Sequence, residues 1–385
     1  TIVSKENYPC YSRCLISYYL AGDIPEAKLI YRQPEFFKGN NIELILGQEI
    51  ERIDIKKKRA IGLDASGNSK VQFDYDFLVL ANGAGSKMPE LKGITKRGVF
   101  GFRTVDDAKS IMELVPVSDT ACVLGGGLIG LKAAYALKKR GLDVKVIVKS
   151  KQVLSQILDF EAAEFFKKLL MEKAIDIITG SDVSEILGNG DVKAIKLDSG
   201  KVIACQIVVV GKGVSPNVKL IKETPISFKA GISTDEHMRT SIPDIFACGD
   251  VCETYDIAIG ETTVNALWPN AVEQGRVAGE NICGNQIEYP GSLGMNSVEF
   301  FDLPVISMGI TRPADGFAVM SKSDAKNNSY RKVVIKDNRL VGAILLGKIE
   351  NSGVYLNLIR EKTDISAIKD LLLAGNFSYP NTIGL

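Results

Sequence analysis

Histidine is almost missing: His237 is the only one in 385 residues. With no second imidazole, a Ser-His-Asp triad cannot be completed through one, and His-rich metal sites are excluded. Cysteine occurs seven times, at 10, 14, 122, 205, 248, 252 and 283, but never as a C-x-x-C pair. No zinc or iron–sulfur site is expected within the chain, and no metal ligand is assigned. Scattered cysteines of this kind point to a reducing, cytoplasmic compartment. No apolar run is long enough to span a bilayer. A net charge of +1 lacks the basic excess that phosphate-backbone binding usually leaves, so nucleic acid is not an expected partner. Solenoid-length repeats and low-complexity segments are absent as well.

One further absence is more specific. The first residues, "TIVSKE", form a β-branched run that reaches an acid, Glu6. In a dinucleotide-binding βαβ unit that is the far end, where a terminal Asp or Glu holds ribose hydroxyls. The near end, a strand running into G-x-G-x-x-G, does not come before it, and neither does a methionine. Roughly 30 residues, the balance of such a unit, are therefore expected ahead of Thr1.

Residues 42–55 read as two short strands, and "KKKR" (56–59) as a solvated hairpin edge. "YDFLVLANGAG" (75–85) is an apolar strand stopping at Gly-rich backbone. From 120 to 150 the pattern is strand, Gly turn, helix over 128–140, a stop at Gly141, and strand. Residues 159–175 carry apolar positions at helical spacing, and a meander follows through 192–217. The tail predicts a strand pair around 331–347 turned by "KDNR", with helices near 352–361 and 364–374. Strands alternating with helices predict a mainly parallel α/β architecture.

Within this pattern "VLGGGLIG" places Gly125, Gly127 and Gly130 at G-x-G-x-x-G spacing. The first glycine allows the tight turn and the second lets a pyrophosphate approach the backbone. The third lets the helix pack close to the strand. Leu128 and Ile129 open that helix, so their backbone is counted with the glycines as nucleotide-facing. At the end of the second strand stands Lys149, with Lys151 close by, where an NAD-selective site has an acid. The two lysines either pair with a 2′-phosphate or are simply solvated, and NAD(H) and NADP(H) both remain open.

Several stretches together resemble the FAD-dependent pyridine nucleotide–disulfide oxidoreductases. The likeness is to the short-tailed branch with NADH oxidase-like proteins, nitrite reductase large-subunit N-terminal parts and phenylglyoxylate dehydrogenase flavin subunits, and it covers essentially the whole chain. "YDFLVLANGAG" resembles the family's strand ending in Ala-Thr-Gly, with Asn82 replacing the Thr. "MRTSIPDIFACGDVCE" (238–253) resembles its second flavin signature, which implies that Asp250, after Gly249, bonds the FAD ribityl chain. "NALWPNAVEQGRVAGENICG" (265–284) resembles the helix aimed at the flavin pyrimidine, with Trp268 and Pro269 at its start. "VVVGKGVSPN" (208–217), with Gly211 and Gly213, resembles the strand closing the nicotinamide domain. The same resemblance implies FAD contacts at Glu6, Ser12, Arg13, Ile50, Ala81 and Gly83. Cys14, eight residues before Gly22, matches the single redox cysteine of the coenzyme A-disulfide reductase and NADH peroxidase branch. It is either that redox thiol, with Arg13 favouring the thiolate, or a packed bystander. Lys132 stands where relatives often carry Glu, and either reverses the local charge beside the flavin or points to solvent.

The resemblance implies an α/β fold with two Rossmann-like domains. A discontinuous FAD domain (1–100 and 222–290) lacks its first βα motif, an NAD(P) domain spans 101–221, and a C-terminal α/β domain spans 291–385. The expected function is an FAD-dependent NAD(P)H oxidoreductase with hydride transfer at flavin N5. Its electrons would pass to or from a redox protein or iron–sulfur partner subunit, in an oligomer or complex. Two alternatives stay open. One is a Cys14-dependent NADH-linked reductase of coenzyme A disulfide, peroxide or oxygen, and the other is a non-catalytic nucleotide-binding structural subunit.

Overall fold

In the computed structural model, residues 1–64, 67 and 69–383 are described. Strand β1 (Ile2–Val3) runs parallel to β2 (Leu44–Ile45). Between them lie two short helices, α1 (Ile16–Ala21), stopped by Gly22 at φ +84°, and α2 (Pro34–Gly39). An antiparallel sheet of β3 (Glu49–Asp54), β4 (Arg59–Leu63) and β5 (Lys70–Asp74) follows. At the basic hairpin Lys58 reaches Asp244 at 2.6 Å and Arg59 reaches Asp74 at 2.6 Å, so part of that edge is ion-paired. Strand β6 (Leu78–Leu80) then leads through Gly83 (φ +62°) into β7 (Ala84–Ser86).

Next comes β8 (Val99–Phe100), two residues ahead of the expected boundary. Helix α3 (Val105–Leu114) starts on a Thr104–Asp107 capping box. Then β9 (Thr120–Leu124), α4 (Leu128–Lys139), β10 (Asp143–Val148), α5 (Phe160–Glu172) and β11 (Ile175–Thr179) alternate. An antiparallel meander, β12 (Val183–Leu187), β13 (Ala194–Leu197) and β14 (Val202–Ala204), precedes β15 (Ile207–Val210) and β16 (Val214–Pro216). These strands make a five-stranded parallel sheet in the order β11-β10-β9-β15-β8. Its three central strands, β10, β9 and β15, are buried along most of their length, as strands covered on both faces must be.

The chain returns through β17 (Ile232–Ser233) to β18 (Ile245–Ala247), which pairs parallel with β6. Strands β19 (Cys252–Tyr255) and β20 (Thr262–Thr263) precede the 15-residue helix α6 (Trp268–Ile282). The tail is an antiparallel sheet of β21 (Met295–Phe300), β22 (Leu303–Gly309), β23 (Ala318–Asp324), β24 (Ser329–Lys336) and β25 (Arg339–Leu346), ordered β21-β22-β25-β24-β23. Helix α7 (Ser352–Arg360) packs against it. Asp337 and Asn338 turn the β24–β25 hairpin at φ +48° and +56°, as "KDNR" suggests.

Two readings change. Parallel pairing is confined to the nucleotide-type cores, and the tail and both meanders are antiparallel. The helix expected at 364–374 is a set of turns with one 3₁₀ turn at Lys369–Leu371. Asp364 accepts the backbone N–H of Ser366 at 2.8 Å, a local turn that competes with helix. Ile365 donates to the Asn338 carbonyl at 2.9 Å, and Ile365, Ile368 and Leu372 are buried beneath the sheet without a continuous helix.

The largest apolar core is shared between segments. It gathers Leu20 of α1, Leu131 and Leu137 of α4, Phe166 of α5, and Phe300 and Leu346 of the tail. Asp159 caps α5 and also takes the Tyr330 hydroxyl at 2.7 Å and the Lys332 ammonium at 2.9 Å, tying α5 to the tail sheet. Where α4 meets the parallel sheet the tightest spot is at Gly130, where an added Cβ would sit 2.0 Å from the Gly125 carbonyl oxygen. Gly130→Ala should destabilise the protein by about 1–3 kcal/mol and lower the thermal unfolding midpoint by several degrees. Gly127→Ala, at a position with nothing within 4 Å, should melt close to the parent. Equal melting of the two variants would contradict the packing described.

Candidate functional site

Gly125 ends β9 at φ +120°, and an added Cβ there would lie 2.5 Å from the Gly211 oxygen. Gly126 is pressed against Val148, while Gly127 is extended and open. Helix α4 then begins at Leu128 with no capping side chain. Its first-turn N–H groups, those of Leu128, Ile129 and Gly130, have no acceptor within the helix, so the positive end faces open space suited to a phosphate. Gly211 closes the other side: its added Cβ would lie 2.5 Å from the Gly130 α-carbon. Gly213 follows at φ +89°. The seven glycine and helix-start positions singled out around "GGGLIG" and "GKG" therefore lie together at the ends of β9 and β15.

Lys149, just past β10, is 82% exposed, and its ammonium lies 3.7 Å from Asp182. Lys212, between Gly211 and Gly213, reaches the same carboxylate at 2.6 Å. Burial is the largest single influence on Asp182 and would raise its pKa, but the bonds from Lys212 and the Val183 N–H, with the charges of Lys212 and Lys149, together outweigh it and hold the carboxyl below its ordinary value. Sequence reading passed over Lys212 and Asp182. Lys212 stood in plain view inside the "GKG" turn, whereas nothing local pointed to Asp182.

On the other half, Gly249 (φ +78°) donates its N–H to Gln274 at 2.8 Å and presents Asp250 in a 3₁₀ turn after β18. Asp250 is ion-paired to Arg103, a residue that no motif flagged. Arg103 also donates through Nε to the Ala84 carbonyl at 3.2 Å, and its own carbonyl accepts Arg13 at 3.0 Å. Arg13 in turn pairs with Glu6 and donates to the Tyr11 hydroxyl at 2.9 Å. The Tyr11 hydroxyl donates to the second Glu6 oxygen. A continuous polar chain thus runs from Glu6 at the end of β1 through Arg13 and Arg103 to Asp250. Ser12 opens the 3₁₀ turn that carries Arg13 and Cys14. Glu6 also borders a cleft of about 590 Å³ with Lys5, Glu49, Thr104 and Asp106.

Cys14 sits beside this chain. Burial pushes its thiol above the usual value, Arg103 pulls it down and Asp250 pushes it up, and the net direction is up. Helix α6 begins at Trp268 and Pro269, again with no capping side chain, and the indole stands edge-on to Tyr31 at 5.2 Å. Asn82, beside Ala81 and Gly83, exchanges two 2.7 Å bonds with Asn217, each amide donating to the other's carbonyl. Ile50 lies on β3 and takes no part in the polar chain among the described contacts. Lys132 points neither to solvent nor into that chain. Its ammonium donates to the Tyr18 hydroxyl at 3.0 Å and the Glu299 carbonyl at 2.9 Å, among the Tyr18, Tyr135 and Phe300 rings.

The donor set suits the riboflavin end of FAD: an uncapped helix start at α6, a carboxylate at Asp250 for hydroxyl groups, and an open Gly83 backbone. A Gly-rich strand-to-helix turn for its pyrophosphate is absent from this half among the described residues. No helix among them is long and apolar enough to cross a membrane.

Residues 1–275 match the family described as pyridine nucleotide-disulphide oxidoreductase, and residues 295–363 match the rubredoxin NAD+ reductase C-terminal domain. The chain therefore belongs to the pyridine nucleotide-disulphide oxidoreductases, a family of enzymes that use FAD and NAD(P)H. It is 35% identical to the NADH oxidase of Methanocaldococcus jannaschii over 317 residues, 80% of this chain and 70% of that protein. It is 29% identical to the nitrite reductase [NAD(P)H] of Bacillus subtilis, covering 95% of this chain but only 44% of that protein. The structure of an NAD-dependent persulfide reductase from A. fulgidus superposes with a TM-score of 0.88 at 27% identity, covering 94% of this chain and 72% of that one.

A thiol raised as Cys14 is should react slowly at neutral pH. Its alkylation by iodoacetamide, followed by peptide mass spectrometry, should rise about tenfold per unit toward pH 9. Asp250→Asn removes a charge that disfavours the thiolate and should speed the reaction at pH 8. A rate already level below pH 7 would contradict the environment described.

Proposed function

We propose that the chain is an FAD-dependent NAD(P)H oxidoreductase that exchanges electrons between nicotinamide and a redox protein or partner subunit. One observation carries the reading. The strand ends bearing the two candidate nucleotide sites are tied side by side, because β7, after β6, pairs with β16, after β15. The Asn82–Asn217 exchange reinforces that ribbon. Two nucleotide-type halves whose strand ends meet are arranged to pass a hydride from one bound ring system to another, the flavin supplying the two-electron chemistry when bound.

In this reading residues 1–100 with 222–290 hold FAD, 101–221 hold NAD(P)H, and 291–385 form the interface domain. Gly125, Gly127 and Gly130 with the α4 N-terminus receive the dinucleotide phosphates. Asp250 accepts hydroxyl groups of the flavin side chain, and Glu6 belongs to the ribose end. Trp268 and Pro269 start the helix whose positive end favours negative charge on the reduced ring. The match of 295–363 to a rubredoxin NAD+ reductase domain favours a small redox protein, iron–sulfur in type, as the second partner.

The Cys14-dependent alternative is the second reading, Cys14 standing beside the Arg103–Asp250 pair. An anaerobic titration of the natively purified protein with NADH or NADPH should bleach a flavin band. Cys14→Ser should keep dye-linked NAD(P)H oxidation within about twofold, the chemistry being the cofactor's. Loss of turnover in that variant would move the assignment to a thiol-dependent reductase. A colourless protein that binds nucleotide without spectral change would leave only a structural role.

A further inference from the structure

The turn that carries Asp250 is held by one buried side chain, Gln274 of α6. Gly249 sits at φ +78° in that turn, and its N–H finds an acceptor in a side chain, the Gln274 Oε1 at 2.8 Å. The same oxygen accepts the Cys252 thiol at 3.3 Å. At the other end of the amide, Nε2 donates to the Thr254 and Tyr289 hydroxyls, each at 3.4 Å. A backbone N–H can only donate, so Gly249 fixes which end of the amide is the oxygen.

The amide is saturated, with both oxygen lone pairs and both N–H groups in use. Two further bonds extend the network: Ser292 meets Thr254 at 2.6 Å and Tyr289 at 3.1 Å. Cys252, Thr254, Tyr289 and Ser292 are all buried. Since Thr254 and Tyr289 each take an amide proton, their own protons are left for Ser292. Well-packed apolar side chains would serve stability as well. A saturated polar network adds direction, because each bond is made in only one arrangement of its members.

We propose that Gln274 is a positioning residue for the flavin: it locks the turn presenting Asp250 against α6, so that a hydroxyl acceptor and a positive helix end stay at one separation. The proposal rests on the reading of both groups as flavin-facing, and it names the side chain that sets one relative to the other. A Cβ on Gly249 would lie 3.5 Å from the Ala271 side chain, so the turn rests on α6 close to the helix start. Asp250 is the next residue, and any slip of the turn along α6 carries its carboxylate with it. Gln274 acts through the Gly249 backbone, not by contact with a ligand.

Fluorescence titration of the full chain, freed of flavin, with FAD tests this alongside thermal unfolding. Gln274→Met keeps the volume but leaves the Gly249 N–H without its acceptor, and should weaken FAD binding about tenfold. Gln274→Glu keeps an oxygen for that N–H and should bind FAD within about threefold of the parent. Thr254→Val breaks the same network away from Gly249. It should lower the unfolding midpoint by several degrees yet leave FAD affinity within about twofold. Should Gln274→Met fail to fold, Gln274→Asn, a methylene too short to reach Gly249, takes its place with the same expectation. Unchanged FAD affinity in that variant, or equal weakening in Gln274→Glu or Thr254→Val, would overturn the proposal and leave the flavin site standing. A parent that binds no FAD would overturn both.

Discussion

The contact between Gly130 and its two neighbours, Gly125 and Gly211, sets the rest of the nucleotide half. With no side chain at any of the three, α4 descends onto the ends of β9 and β15 until backbone meets backbone. That seat places the uncapped first turn of α4 over the sheet, so its dipole and unpaired N–H groups point at one place. Lys149 and Lys212 stand just past the neighbouring strands, β10 and β15. A single methyl group at Gly130 would lift the helix and its unpaired N–H groups together.

The second organising feature is the joint between halves. Neither sheet alone could hold two cofactors in register. The β7–β16 ribbon, the Asn82–Asn217 exchange and the Glu6–Arg13–Arg103–Asp250 chain cross that joint with directional bonds. Apolar packing crosses it too, since α1, α4, α5 and the tail sheet share one core. Lys132 belongs to this joint. Held among Tyr18, Tyr135 and Phe300, it links α4 to α1 and to β21, where cation–π contacts and a carbonyl acceptor compensate a half-buried charge.

Much of this was legible in short stretches. The glycine turn, α4 with its stop at Gly141, α5 after Asp159 and the "KDNR" hairpin all depend on interactions a few residues apart, which residue type and spacing reveal. The segment 364–374 misled because its isoleucines and leucines fit helical spacing, yet the Asp364 turn and the bond from Ile365 to Asn338 prevailed. Asn82 was legible as a departure from a pattern but not as half of a reciprocal bond, because its partner lies 135 residues away.

The amino-acid order alone therefore determined which turns approach phosphate closely, where helices begin, and which family the chain resembles. Backbone geometry within a few residues sets those features. Tertiary structure decided the charges' partners: that Arg103 meets Asp250, that Asp182 gathers Lys149 and Lys212, and that Lys132 turns to an aromatic enclosure. Long side chains can point many ways, and only the packing of distant segments selects one. A carboxylate 30 or 147 residues away leaves no local mark on the cation it will meet.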